Sequence, residues 1–200
     1  MRSFVISLLC AAALASPALA RSHRHAASGA ATPAQFDHYT LSLTWVPSYC
    51  ALHSDPAECG RGAGFALHGL WPDGTNRRND PQNCEGPALG AADKAKYQAL
   101  YASPSLIAHE WTKHGTCSGL DAANYFGLIK ADVAKLRIPD AYRQARTVKA
   151  SEANALKTAV LAANPDLPAD GVKVVTSGGL LSELEICFGR DAGAFVSCGR

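Results

Sequence analysis

The stretch His109-Glu110-Trp111-Thr112-Lys113-His114-Gly115-Thr116-Cys117 gathers the groups with which a protein moves protons. Its first six residues hold two imidazoles, a carboxylate and an ammonium. The spacing predicts a helix as far as His114. At ~100° per residue, with His109 at zero, Lys113 falls at about 40°, Glu110 at about 100° and His114 at about 140°. The four ionisable side chains therefore share one arc. Trp111 and Thr112 point to the other side, and the bulky Trp111 anchors the helix in a core. A surface helix scatters its charges among Lys, Glu and Ala. This one reads as an active-site helix.

A second run, Gly64-Phe65-Ala66-Leu67-His68-Gly69-Leu70-Trp71-Pro72, puts a histidine inside a short apolar strand expected from Phe65 to Leu70. Two assignments of His68 stand side by side. It is a satisfied core residue, or it sits at a strand end that opens onto a site before the Trp-Pro corner.

The elements that must position these residues follow from periodicity. Ser103-Pro104 is an N-cap with Pro at the first helical position, which starts the active-site helix, and Gly115 is placed to end it. Ahead of it, Ala91 to Tyr101 is helix-forming. Phe36 to Trp45 alternates Tyr39, Leu41, Leu43 and Trp45 with His38, Thr40, Ser42 and Thr44, a half-buried strand that Pro47 stops. Cys50 and Cys59 then bracket a short loop. His38 and His53 are assigned structural or exposed places. Asp73 to Gly90 is a polar loop in which Arg77 and Arg78 are solvated. Asp121 begins a helix with the stripe Phe126, Ile129, Val133 and Leu136. Ser151 begins another, carrying Leu156, Val160 and Leu161 and closed by Asn164-Pro165. Val172 to Val175, Leu180 to Phe188 and Ala194 to Cys198 have strand character, with Cys187 and Cys198 placed to staple a hairpin. Helices in the middle and strands at both ends argue an α+β fold.

The 200 residues are 48% hydrophobic, enough for one domain with a real core, and carry a net charge of +2. That charge, with no basic run beyond Arg77-Arg78, excludes an obligate nucleic-acid packager. It permits a polyanionic substrate touched at a few phosphates. Arg2, the apolar run Phe4 to Ala15 and Pro17-Ala18-Leu19-Ala20 form a secretory signal peptide over residues 1–20, too short for a membrane span. Residues 21–35, with His23 and His25, are a flexible lead-in to a domain over 36–200. Cys10 leaves with the signal, and six cysteines remain, an even number that implies disulfides in an exported chain. A zinc site is the weaker reading, because no C-x-x-C pair exists.

His68-Gly69-Leu70-Trp71-Pro72 and the run from His109 to Cys117 together resemble the two signature segments of the ribonuclease T2 family, in the expected order. Phe36 through Cys50 is similar to that family's opening strand, and the paired C-terminal cysteines fit its last strands. The resemblance covers nearly all of the mature domain. It implies a central, mainly antiparallel sheet with helices packed against it, stabilised by disulfides. It further implies an endoribonuclease for single-stranded RNA that uses no metal and no cofactor. The 2′-hydroxyl attacks phosphorus, the 5′-oxygen leaves, and a 2′,3′-cyclic phosphate results. By resemblance His114 is the base, His68 the acid and His109 a phosphate ligand, while Glu110 and Lys113 stabilise the transition state. Trp71 is implied as a stacking platform and Asp73 as a base-edge partner; from the residues alone, Trp71 also fits a core position and Asp73 a turn before Gly74. The implied cysteine pairs are Cys50–Cys59, Cys84–Cys117 and Cys187–Cys198.

Leu106 and Ile107 replace aromatic residues often found before the helix's first histidine in that family, and the loop from Pro72 to Cys84 carries no aromatic. Broad base specificity is therefore expected. DNA, which lacks the internal nucleophile, should be inert, and a monomer without membrane association is expected, in the periplasm or the medium of a bacterial-type source. Since one imidazole must be neutral and the other charged, the rate should fall on both sides of a mildly acidic to neutral optimum.

Two rival readings meet the same residues. A metallohydrolase would need H-E-x-x-H, and the position four after His109 is Lys113, a poor zinc ligand. A catalytically silent T2-like RNA-binding or storage protein would be expected to have lost a histidine, whereas His68, His109 and His114 are all present. Cys117, expected to be bonded, is set aside as a nucleophile.

Overall fold

The computed structural model describes residues 35–54, 56–60, 62, 64–74 and 80–199. The expected signal peptide, nearly all of the lead-in, and Arg77 and Arg78 lie outside them.

Four antiparallel strands form one sheet in the order β2-β1-β4-β3, where β1 is His38–Trp45, β2 is Phe65–Asp73, β3 is Val172–Ser177 and β4 is Leu180–Phe188. Six helices accompany them: α1 (Val46–Leu52), α2 (Pro56–Cys59), α3 (Ala91–Tyr97), α4 (Pro104–Lys113), α5 (Ala122–Lys135) and α6 (Ala153–Ala163). This is the α+β architecture that helices in the middle and strands at both ends require.

β1 lies between β2 and β4, and the two sets of its alternation face different neighbours. Tyr39, Leu41, Leu43 and Trp45 join a core with Trp111, Tyr125, Phe126 and Ile129. The polar set is buried too, apart from half-buried Thr44. The expected half-buried strand is thus an inner strand covered on both faces, and it begins at His38 rather than Phe36. Polarity of one face marked a lined cleft, not open solvent.

Other expectations are corrected as well. Pro47 sits in the first turn of α1 and opens a helix where a loop was expected, since proline needs no helical partner for its missing N–H there. Cys50 and Cys59 therefore sit on helices. β2 does not stop at a Trp-Pro corner but runs on to Asp73, with Tyr39 opposite Pro72. An edge strand tolerates a residue that cannot donate to the ladder. On α5 the buried side is Tyr125, Phe126, Ile129 and Asp132, while Val133 is 40% exposed. Ala194 to Cys198 forms no strand; only Phe195 bridges Phe188.

The caps behave as the sequence requires. Ser103 Oγ accepts from Leu106 N at 3.1 Å and Asp121 Oδ1 accepts from Asn124 N at 2.8 Å. Disulfides join Cys50 to Cys59, Cys84 to Cys117 and Cys187 to Cys198, the same pairs the resemblance implies. No helix among the described residues is long and apolar enough to cross a membrane.

Candidate active site

α4 packs beside the edge strand β2. Trp111 turns into the core, its ring 5.6 Å from Tyr125 and its Nε1 donating to Pro87 O at 2.8 Å. With the indole fixed inward, the ionisable arc must turn over the other sheet face. Glu110 accordingly meets Gly69 and Trp71 there.

That face is paved with small residues. Ser42 lies opposite Gly69 on one side and Glu185 on the other, and Thr40 lies opposite Trp71 and Cys187. Between Ser42 and Leu43 the register slips, and His68 is the extra residue of this β-bulge. A bulge frees one side chain from the ladder and re-aims it. His68 uses that freedom to reach across β1: its Nδ1 lies 2.8 Å from Glu183 Oε1 on β4. Its Nε2 lies 3.6 Å from Glu110 Oε1. His68 is thus not a core residue: its ring is one-third exposed and lines two cavities.

Gly69 is a packing necessity. A Cβ there would run into Glu110 Oε2 and stand 2.6 Å from Trp71 Nε1. Without it, Trp71 Nε1 donates to Glu110 Oε2 at 2.9 Å. The same indole stacks on His114, with centroids 5.3 Å apart and planes at 29°, and meets His68 edge-on at 5.2 Å. Trp71 therefore lines the cleft rather than the core.

Gly115 was expected to end the helix, and α4 does stop just before it, at Lys113 with His114 as its cap. The chain then tightens into a 3-10 turn, Gly115–Ser118, and Gly119 takes the positive φ of 74°. Gly115 is needed for another reason. A Cβ would strike the Trp111 ring, whose Cζ3 would be 3.0 Å away. The segment from Asp80 to Gly90 is strapped along this turn by the Cys84–Cys117 disulfide, by Asn83 N donating to Lys113 O at 2.8 Å, and by the Trp111–Pro87 bond.

Two cleft lobes meet at His68 and Glu183. One, of about 280 Å³, is bounded by His68, Trp71, Asp73, Lys113 and His114, with Asp80, Gln82 and Glu185. The other, of about 480 Å³, adds His109, Leu106 and the ring pair Tyr49–His53, whose centroids are 4.4 Å apart. His68, His109, Lys113, His114, Trp71 and Asp73 thus line one cleft, with Glu110 buried behind it against His68 and Trp71. His53 is exposed, as expected, but it lines a lobe. His38 is buried and away from these lobes.

Burial governs the electrostatics. Glu110 is almost fully buried, and desolvation raises its pKa against the pull of His68, the Trp71 N–H, His109 and Lys113. His114 is pushed down to about 3 by burial first and then by Lys113, His68 and His109. Its Nδ1 is buried without a hydrogen-bond partner among the described residues. One imidazole is therefore held neutral beside another that has carboxylates at hand. Such a division suits an acid–base pair. His38, Cys187 and Cys198 bring ligand atoms within 4.8 Å of one another, but both sulfurs are spent in a disulfide.

Glu183 escaped the sequence reading. The signal was the alternation Glu183-Leu184-Glu185-Ile186, which marks a strand with an outward carboxylate row. Nothing local says that one of those carboxylates faces a histidine over a hundred residues away.

The sequence model of the ribonuclease T2 family matches residues 36–198. A ribonuclease of Aeromonas hydrophila is 42% identical over 95 residues, which is 47% of this chain and 43% of that protein. Ribonuclease Oy of Magallana gigas is 25% identical over 82% of this chain and 88% of its own length. The chain spans less than half the length of the Aeromonas protein and of a probable ribonuclease of Haemophilus influenzae. A variant of ribonuclease MC1 solved in complex with 5′-UMP superposes with a TM-score of 0.64 at 25% identity, covering 83% of this chain and 94% of that one. Ribonuclease MC1 from bitter gourd seeds gives 0.58 at 28% identity, with 82% and 94% covered. With both signature segments on one cleft and the match running the length of the folded domain, the chain belongs to the ribonuclease T2 family.

Proposed function

We propose that the protein is an endoribonuclease that cleaves single-stranded RNA by transferring phosphorus to the 2′-hydroxyl, with no metal or cofactor. The observation that carries this reading is that His68 and His114 both touch Trp71 in one lobe that Lys113 also lines, with Glu110 against His68 and Trp71. His114, kept neutral, takes the 2′-hydroxyl proton as the O2′–P bond forms. His68, whose imidazolium finds a counter-charge in Glu183, gives a proton to the 5′-oxygen as the P–O5′ bond breaks. Lys113 and His109 face the phosphorane's charge. Glu110, neutral when protonated, donates to a non-bridging oxygen, and when ionised it balances the cations.

The nucleoside on the 2′-side stacks on Trp71, with Asp73 at its base edge, and the leaving nucleoside lies toward His109 and the Tyr49–His53 pair. Stacking tolerates any base, so specificity is broad. Three disulfides suit an oxidising compartment, and residues 1–20 serve as the export signal for the periplasm or the medium. The folded unit, residues 36–200, works as a monomer.

Mixed-sequence RNA digested in excess EDTA should yield 2′,3′-cyclic or 3′-phosphate ends, with DNA left intact. End analysis of the products by mass spectrometry checks it. RNA left whole from pH 4 to 7 would overturn the activity and favour a silent RNA-binding protein.

A further inference from the structure

We propose that Glu183 is the positioning residue of His68, and that it fixes the ring so that Nε2 is the atom presented to the leaving oxygen. The inference rests on the assignment of His68 as the acid. At 2.8 Å from Glu183 Oε1, His68 Nδ1 carries the proton, because a carboxylate only accepts. The neutral ring therefore keeps Nδ1–H, and its lone pair is at Nε2. When the P–O5′ bond breaks, the proton on Nε2 passes to O5′ and the Nε2 electron pair is left on the ring. The Nδ1–H bond to Glu183 is unchanged throughout.

His68 needs such a clamp because it is a bulge residue. It is the extra residue where the register of the β1–β2 ladder slips. Glu183 is suited to supply one. β4 is an inner strand paired on both sides, and Glu183 stands in register with Thr44 on β1 and Val175 on β3. Its side chain is only 18% exposed, so water competes weakly for the carboxylate. Two residues on, Glu185 is tied to Lys173 Nζ at 2.7 Å. The two carboxylates of one row thus have separate tasks: one binds a lysine across β3 and the other holds the histidine.

The test compares the wild-type protein with Glu183→Gln and Glu183→Ala on two substrates that share a 3′-nucleotide. One is a dinucleoside monophosphate, whose 5′-oxygen must be protonated to leave. The other is a p-nitrophenyl ester, whose leaving group departs as a stable anion. Glu183→Ala should lower kcat on the dinucleotide by about 10- to 100-fold with little change in KM, and should leave the ester turnover near wild type. Glu183→Gln, which keeps an acceptor for Nδ1–H, should recover most of the loss. Nitrogen NMR of the neutral His68 ring should show the Nδ1–H form in the wild type and a mixture in Glu183→Ala. Equal losses on both substrates, no loss on either, or an unchanged ring spectrum would overturn the proposal. A wild-type protein that cleaves neither substrate would instead sink the ribonuclease reading beneath it.

Discussion

Replacing His114 with alanine is expected to lower kcat/KM for RNA by about 10²–10⁴-fold, the loss that follows removal of a positioned proton acceptor. The same change should make the fold less sensitive to acid. His114 is 6% exposed and stacked on Trp71, and burial holds its pKa at about 3 against 6.5 for a free imidazole. The depressed folded-state value means the neutral ring adds stability that is present above pH 6.5. That stability is lost as the pH falls toward 3, by on the order of 5 kcal/mol for a shift of this size. The alanine variant has no such term. Its melting temperature should therefore fall less steeply than the wild type's over that interval. In the active enzyme the acid limb of kcat/KM, which reports the free protein, should lie near 3. The limb of kcat should sit higher, because the bound phosphodiester's negative charge favours the imidazolium. Cleavage assays and thermal unfolding from pH 3 to 7 measure both effects. A drop in kcat/KM of less than tenfold would remove His114 from the role of base.

The second large effect is the stabilisation expected from Asp132→Asn at neutral pH. Asp132 is 1% exposed on α5. Its Oδ1 accepts from Gly193 N at 2.7 Å, and its Oδ2 is buried without a partner among the described residues. Desolvation, opposed by the Gly193 N–H, raises its pKa from 3.8 to about 6. The sign is opposite to that of His114: stability is full below 3.8 and is lost as the pH rises through 6, by about 3 kcal/mol. Asparagine keeps an acceptor for Gly193 N and carries no charge. It should gain about that amount at pH 7 and nothing at pH 3.5. Denaturant unfolding at the two pH values decides the matter. Equal or lower stability of Asp132→Asn at pH 7 would mean that the carboxylate's charge is compensated.

The parts of this molecule that sequence made legible are those in which a few adjacent residues settle the outcome. Ser103-Pro104 and Asp121 set helix starts through their own side chains, and the wheel of residues 109–114 placed Trp111 in the core and gathered the ionisable side chains on another arc. What escaped depended on neighbours far along the chain. The polar set of β1 looked solvent-facing because nothing local says that a bulge on β2 and a row on β4 will lie over it. Pro47 read as a stop because its role as a helix opener rests on what Val46 does next. Gly115 follows the helix end as expected, but its second constraint, the Trp111 ring one turn back, was not legible. Glu183 was invisible for the same cause: its meaning is the histidine it meets, and only the strand order brings the two together.

The sharing of one indole between Glu110 and His114 has a spectroscopic consequence. The protein has three tryptophans. Trp45 and Trp111 are sealed in the core, each donating to a backbone carbonyl. Trp71 instead donates to the Glu110 carboxylate and stacks on the His114 ring, two groups that titrate. A protonated imidazole stacked on an excited indole quenches it by accepting an electron, and a neutral one does so poorly. The cleft therefore carries its own fluorophore, in contact with His114. Its emission follows the proton on His114 in real time, against a constant background from two buried lamps.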